Sequence, residues 1–340
     1  MPRRDIVAVG ASAGGVEALR DLVRGLPPDI SATLLVVLHL PTSAYSALPS
    51  ILDRAGHLPA FTAEDGVAPK PGTVVVAPPD RHLMVRDGHL YVGRGPKENG
   101  HRPAIDPLFR SVARWYGPRA IGVVLSGTLD DGAAGLLTIR ERGGIAVVQD
   151  PASALYDGMP TAALRAVPDA FTASGRDLAD LIVRLSQEEV EDDGAPVSRE
   201  LEMETEIPYL EEFALADGDR PGRPAAMTCP DCNGAMFEID DGDVIRYRCR
   251  VGHAWSPQSL LIQQIESAEA ALWAAIRTLE EKAALHRSLA ERPGPKTLAR
   301  GYHQERADDA SASAGVLRDL LRRPLAGTEA DLPAEGGDAG

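Results

Sequence analysis

No run of about 18 or more apolar residues occurs in the chain, so nothing in it reads as a transmembrane helix. A secretory signal core is missing too. The first apolar run, Ile6-Val7-Ala8-Val9, is too brief for one and ends in a glycine-rich turn. The cytoplasm is therefore the expected compartment. Cysteine is absent from the first 228 residues, and the three that occur, Cys229, Cys232 and Cys249, fall in one short stretch. An odd, clustered set points to metal before disulfide. Aromatic residues are few at 4%, whereas hydrophobic content is ordinary at 44%, enough for a sizeable core in 340 residues. Excess basic charge is lacking as well. The net charge is −15, which argues against nucleic acid as the target, because phosphate binding needs a clustered basic face.

That charge is concentrated. Between Glu188 and Arg220 stand 13 acidic and 2 basic residues, a net of −11 that leaves −4 for everything else. Such a block predicts a solvated, flexible linker over residues 188–225, with an acidic docking segment for a basic partner as the alternative. Before it, residues 1–187 alternate short β-rich runs with amphipathic stretches. Strands are expected at residues 6–10, 33–39, 73–77, 121–126 and 145–149, and helices at 15–25, 46–55, 105–115 and 131–142. Several strand runs are rich in Val, Ile and Leu without alternation, as for parallel strands covered on both faces. The expected fold is α/β, a doubly wound and mainly parallel sheet, with a β-hairpin over residues 81–92 around Asp87-Gly88. Beyond the linker come a small unit at 226–256, a helical hairpin at 257–325 broken by Pro293-Gly294-Pro295, and a frayed tail at 326–340.

The first strand ends in Gly10-Ala11-Ser12-Ala13-Gly14-Gly15. This is a G-x-S-x-G arrangement at a strand-to-helix turn, the context that gives the motif meaning. A serine there presents its oxygen above the carboxyl edge of the sheet, and helix amides starting at Ala13 can stabilise an oxyanion. The competing reading is a phosphate-binding turn or a helix cap. However, the G-x-G-x-x-G spacing is absent, and the second strand ends in His39 rather than an acidic residue. A serine hydroxyl needs a general base, so Ser12 and His39 strengthen each other as candidates. The carboxylate that orients the base should end another strand. Val123-Val124-Leu125-Ser126-Gly127 leads to Asp130-Asp131, and spacing does not choose between those two aspartates, either of which could cap the next helix.

Cys229-x2-Cys232-x16-Cys249-x3-His253 suits tetrahedral zinc, and four protein ligands mark such a site as structural. Runs at 236–239 and 244–248 around Asp240-Asp241-Gly242-Asp243 predict a zinc-ribbon-like hairpin that needs its metal to fold. The helices beyond carry Leu260, Leu261, Ile265, Ala268, Leu272, Ile276 and Leu279 at helical spacing, which predicts core burial or self-association. The module is expected to bind a partner protein, and to pack apart from the first one, so that chelation spares hydrolysis of a small ester.

Five stretches together resemble the catalytic domain of the chemotaxis protein-glutamate methylesterases. They are Val9-Gly10-Ala11-Ser12-Ala13-Gly14-Gly15, His39-Leu40-Pro41, Arg102-Pro103-Ala104-Ile105-Asp106-Pro107-Leu108-Phe109, Leu125-Ser126-Gly127 through Asp131-Gly132-Ala133, and Ala154-Leu155-Tyr156-Asp157-Gly158-Met159-Pro160. The resemblance covers residues 4–190 and places the acid at Asp131. It implies hydrolysis of γ-methyl glutamate esters on chemoreceptors, with deamidation of receptor glutamines as a second activity and no catalytic cofactor. Ser12 is then the nucleophile, His39 the base, and the N–H groups of Ala13 and Thr128 the oxyanion donors. Two departures stand out. The first strand starts too early for a preceding receiver domain, so a stand-alone form without phosphorylation control in cis is expected. The family's Gly-Met-Gly-Asn-Asp-type turn reads Gly127-Thr128-Leu129-Asp130-Asp131 here. The rival to this reading is a nucleotide-binding or catalytically inactive scaffold protein.

Overall fold

The apolar runs become strands where their residues can be covered from both sides. The computed structural model describes residues 1–40, 46–191, 194–209, 222–240, 244–292 and 297–322. Strands β1 (Ile6–Ala11), β2 (Thr33–Leu38), β3 (Ala60–Thr62) and β4 (Val74–Val76) precede a hairpin of β5 (His82–Arg86) and β6 (His89–Gly93). Next come β7 (Ala120–Val124), β8 (Ile145–Gln149) and β9 (Phe171–Ala173). All but the hairpin join one seven-stranded sheet of order β3-β4-β2-β1-β7-β8-β9, and every pairing in it is parallel. The doubly wound expectation therefore holds. The two short edges, β3 and β9, escaped sequence reading because three exposed or half-buried residues carry no apolar signature.

Alternate residues of each strand serve opposite cores. Val7, Val9 and Ala11 of β1, with Leu34, Val36 and Leu38 of β2, meet Leu19 and Leu22 of α1 (Gly15–Gly25) and residues of α2 (Leu48–Ala55). On the other face, Ile6, Ala8, Leu35 and Val37 pack with Ile105, Leu108 and Phe109 of α3 (Ile105–Tyr116) and Leu136 of α4 (Ala133–Glu141). Each fully buried side chain of this size contributes roughly 1.5–3 kcal/mol, so the sheet rests on apolar burial. A Cβ on Gly10 would lie 2.4 Å from Ile105 Cγ2, so that glycine is what lets α3 cross close to β1. Helices α5 (Gly158–Ala166) and α6 (Gly175–Gln187) complete the layers. Strand order reverses at β1, which has β2 on one side and β7 on the other, so their carboxyl ends frame the crevice where open α/β sheets gather their sites.

The acidic stretch differs from a solvated linker over residues 199–209. Helix α7 (Arg199–Glu206) is capped by Ser198, whose hydroxyl accepts from Leu201 N at 3.1 Å. Leu201, Glu204, Ile207 and Tyr209 are buried, and Tyr209 Oη donates to Val85 O at 3.1 Å. Arginines explain the difference: Glu206 pairs with Arg114, and Glu204 with Arg246 and Arg248. The chain then forms an antiparallel four-stranded sheet of β10 (Arg223–Thr228), β11 (Ala235–Asp240), β12 (Ile245–Cys249) and β13 (Ala254–Trp255). This sheet packs with the first in one compact unit, residues 1–259. The separate packing expected of the cysteine-bearing stretch is thus not what the contacts show.

The second unit, residues 260–340, holds most of α8 (Pro257–Glu291) and all of α9 (Thr297–Leu321). Arg318 pairs with Glu280, and Arg287 Nη2 donates to Ser311 Oγ at 2.6 Å, which fixes an antiparallel helical hairpin. Its buried seam is mostly alanine (Ala283, Ala290, Ala307, Ala310 and Ala314) with Ile276, whereas Leu261 is exposed. Pro41, residues 192–193 and 210–221 of the acidic stretch, the turn at 241–243, the Pro293-Gly294-Pro295 break and the tail at 326–340 lie outside the described residues.

Candidate active site

Ser12 follows β1 directly. Its N–H donates to Ser126 O at 3.0 Å, and Gly15 N donates back to Ser12 O at 2.9 Å, closing the turn into α1. Gly14 has φ 71°, a left-handed conformation that suits glycine at the helix cap. A Cβ there would also stand 2.7 Å from Ser126 Oγ, so a side chain at this position would crowd that residue. His39 follows β2, and its N–H donates to Ala11 O at 3.1 Å, continuing the β1–β2 pairing past the strand end. The two side chains meet above the sheet edge: His39 Nδ1 lies 3.1 Å from Ser12 Oγ. On the other side of the ring, His39 Nε2 lies 2.7 Å from Asp131 Oδ2. With the proton on Nε2, Nδ1 is left as the acceptor facing Ser12, a reversal of the ring nitrogens used in the chymotrypsin triad.

Asp131 does not cap α4, whose N-cap is Gly132 and receives no side-chain bond. Its carboxylate instead sits at the N-terminus of α3. Ile105 N donates to Oδ2 at 2.7 Å, Asp106 N to Oδ1 at 3.3 Å, and Asn99 Nδ2 to Oδ1 at 3.1 Å. Burial alone would raise this carboxyl's pKa, but the hydrogen bond and charge of His39 and the Ile105 N–H outweigh it. Asp131 is held well below the usual carboxylate range. Asp106 returns the arrangement by accepting from Gly135 N of α4 at 2.7 Å. Burial, together with the Asp131 charge beside it, pushes Asp106 up to about 7. Asp130 faces elsewhere: Ser256 Oγ donates to its Oδ1 at 2.7 Å, and burial pushes it up to about 6. Only Asp131 reaches His39.

Among the described residues, neither Ala13 N nor Thr128 N donates to another protein group, which leaves both free for a ligand. Gly127 passes so close to the serine that a Cβ on it would lie 2.9 Å from Ser12 Cβ. The stretch around Tyr156 holds this loop: Gly127 N donates to Tyr156 O at 3.0 Å and Met159 N to Gly127 O at 2.9 Å. Leu129 adopts φ 62°, which costs a bulky residue roughly 1–2 kcal/mol, at the position where the resembled turn has glycine.

Sequence reasoning gave no role to Asn99, His101 or Asp106. His101 stacks on His39 with ring centroids 3.7 Å apart and planes 11° from parallel. Burial first, and then the His39 charge, lower the His101 pKa to about 4, so a neutral ring backs His39. Asp106, next to Pro107 in the first turn of α3, was visible as a helix-start signal. Asn99 and His101 lie in a loop with no such signal.

The four cysteine and histidine candidates also converge. The donor atoms of Cys229, Cys232, Cys249 and His253 lie within 4.8 Å of one another. Cys232 Sγ is 3.6 Å from Cys249 Sγ, and Cys249 Sγ is 3.6 Å from His253 Nδ1. Those separations are close to the ~3.8 Å edge of a tetrahedron with zinc–sulfur bonds of about 2.3 Å. Two tight turns present the donors, with Asn233 N bonded to Cys229 O at 2.8 Å and Gly252 N to Cys249 O at 2.9 Å. The cluster can hold a zinc ion.

A family model described as CheB methylesterase matches residues 7–182, over half of the chain. The chain belongs to the CheB methylesterase family. Its relatives include a protein-glutamate methylesterase/protein-glutamine glutaminase of Anaeromyxobacter dehalogenans, 47% identical over 165 residues, or 48% of each chain. A protein of the same name from Yersinia pestis is 42% identical over 163 residues, 47% of this chain and 46% of the relative. This chain therefore spans about half the length of the curated relatives it matches. The crystal structure of the Thermotoga maritima CheB methylesterase catalytic domain superposes with a TM-score of 0.51 at 28% identity, covering 54% of this chain and 99% of that one. Nothing in these likenesses favours a nucleotide-binding protein. Among the described residues, no helix is long and apolar enough to cross a membrane.

Proposed function

We propose that this chain is a serine carboxyl-ester hydrolase that removes γ-methyl esters from glutamate side chains of chemoreceptors, and deamidates receptor glutamines as a second activity. The observation that carries the reading is the hydrogen-bonded line Ser12–His39–Asp131 in a chain of this family. His39 Nδ1 takes the Ser12 proton as Oγ attacks the ester carbonyl carbon. The resulting oxyanion lies against the N–H groups of Ala13 and Thr128. Collapse expels methanol, protonated by His39. Water, deprotonated by the same nitrogen, then cleaves the acyl-enzyme to free glutamate. Asp131 stays ionised throughout and stabilises the imidazolium. Neutral His101 adds no like charge beside it. No cofactor enters these steps.

The catalytic part is residues 1–187. Cys229, Cys232, Cys249 and His253 hold structural zinc, which when bound cross-links their small sheet. The protein works in the cytoplasm, neither inserted in the membrane nor bound to nucleic acid, and its C-terminal helices serve a protein partner or self-association. The test is methanol release from methylated chemoreceptors beside other methylated proteins. Wild type should release methanol from the receptors, and Ser12→Ala should lose at least ~10⁴-fold in rate. If a serine-reactive fluorophosphonate labels wild type and Ser12→Ala equally, the nucleophile is another residue.

A further inference from the structure

The loop over residues 97–101 touches both the catalytic acid and the cysteine-bearing sheet. On the sheet side, Asn99 N donates to Ala254 O at 2.8 Å, and Ala254 N donates to Lys97 O at 3.3 Å. Ala254 follows His253, one of the four clustered donors. The Asn99 side chain is shared between the two sides. Its Oδ1 accepts from Ser256 N and from Ser259 Oγ, both at 2.8 Å, while its Nδ2 donates to Asp131 Oδ1 at 3.1 Å. At the end of the same loop His101 stacks on His39. Asn99 itself is buried and has φ 50°, a backbone state that Asn tolerates better than most residues. The neighbouring Glu98 is fixed too, by buried ion pairs to Arg110 at 2.5 Å and to Arg248 of β12 at 3.1 Å. Every link from His253 to His39 is therefore a direct contact inside one compact unit.

We infer that Asn99 is a positioning residue that ties Asp131 to the Cys229–Cys232–Cys249–His253 sheet, so that loss of the metal from that sheet misaligns the acid and slows ester hydrolysis. The inference rests on the proposed reaction for its kinetic readout. An amide whose oxygen is held by two donors cannot turn its nitrogen away from Asp131. Once the sheet loosens and those donors leave, the amide is free to rotate, and Asp131 loses a bond that helps set its angle to His39. Hydrogen bonds to charged groups are the strong ones, so the effect should be large enough to read. This predicts the opposite of the expectation from the sequence that chelation spares the small-ester reaction.

The test compares the full zinc-loaded chain with chelator-stripped protein, in wild type and in two variants that keep the left-handed backbone. Asn99→Gly removes the side chain. Asn99→Asp keeps the acceptor for Ser256 and Ser259 but sets an oxygen against Asp131. Both variants should lower kcat on a small methyl ester about 10-fold to 100-fold with KM nearly unchanged, the mark of lost alignment rather than lost binding. Stripping zinc should lower kcat of wild type by about tenfold or more, yet change that of Asn99→Gly by less than about twofold, because the link is already cut. A readout independent of turnover is the downfield imidazole N–H resonance of His39 bonded to Asp131, assigned by its loss in His39→Gln. It should weaken or shift on stripping wild type. Unchanged kcat and unchanged resonance after stripping, or an equal fall in kcat in wild type and Asn99→Gly, would overturn the inference. Should wild type hydrolyse no ester, the proposed function fails, and the resonance alone decides whether the metal sheet sets the His39–Asp131 contact.

Discussion

Every residue of β1 and β2 is buried, whereas β10 alternates exposed and half-buried positions and buries none. The parallel sheet is covered by helices on both faces and draws its stability from Val, Leu and Ile. The cysteine-bearing sheet has a handful of buried apolar residues, chiefly Met236, Phe237, Ile239 and Trp255. In place of a larger core it has a cysteine–histidine cluster that can hold a metal and a buried seam in which Arg110, Arg246 and Arg248 meet Glu98 and Glu204. Burial would raise the pKa of both glutamates, but the arginines outweigh it and keep each below the usual range. The difference is instructive. Apolar burial specifies a layer from its own sequence, while a charge seam works only when partners far apart in the chain arrive together.

That contrast can be broken most sharply at the seam. Glu98→Ala leaves Arg110 and Arg248 facing a buried gap and should cost about 3–5 kcal/mol, as much as truncating a core leucine such as Leu35→Ala at ~2–5 kcal/mol. Urea denaturation of the two variants makes the comparison, and a cost for Glu98→Ala below ~1 kcal/mol would show that the seam contributes little. Removing the metal should act more locally. Purified protein should carry about one zinc per chain, and Cys229→Ser or His253→Ala should release it. Hydrogen exchange should then quicken in β10–β13 and in the loop over residues 97–101, with β1, β2 and β7 still protected. Uniform loss of protection would mean that the two sheets fold as one cooperative whole.

The smallest effect concerns Asp106. Its pKa is raised to about 7 in the folded protein, above the unfolded value of 3.8, so the fold favours the protonated form. Its contribution is fully present below the unfolded value and is lost as pH rises through about 7. Thermal midpoints of wild type should therefore fall between about pH 5 and pH 8 more steeply than those of Asp106→Asn. Parallel profiles would show that Asp106 is ionised in the fold after all.

Much of the site could be read from the chain because strand ends in a parallel sheet are predictable. Ser12, His39 and the Asp130-Asp131 pair each follow an apolar run, and all such runs end on one edge. The choice between the aspartates was different in kind. It depends on the N-terminus of α3, which offers Ile105 N and Asp106 N to Asp131, and on Ser256, which takes Asp130. Nothing local to residues 130–131 encodes either partner. Asn99 and His101 were missed for the same reason, since a loop residue's role depends on what is packed against it.

The acidic stretch shows where composition misleads. Its charge count predicted solvation, yet Glu204 is buried because Arg246 and Arg248 arrive from β12. Hydrophobic periodicity, glycine turns and the cysteine spacing are local properties, so the sequence by itself determined the parallel sheet, the serine turn, the strand-end histidine and the Cys229–Cys232–Cys249–His253 grouping. The family resemblance pointed to Asp131, but the bonds that bring it to His39, the state of the buried carboxylates, and the joining of the cysteine-bearing sheet to Asp131 were decided only by tertiary structure. Hydrogen bonds and ion pairs take their value from geometry and burial, and both exist only after distant segments have packed.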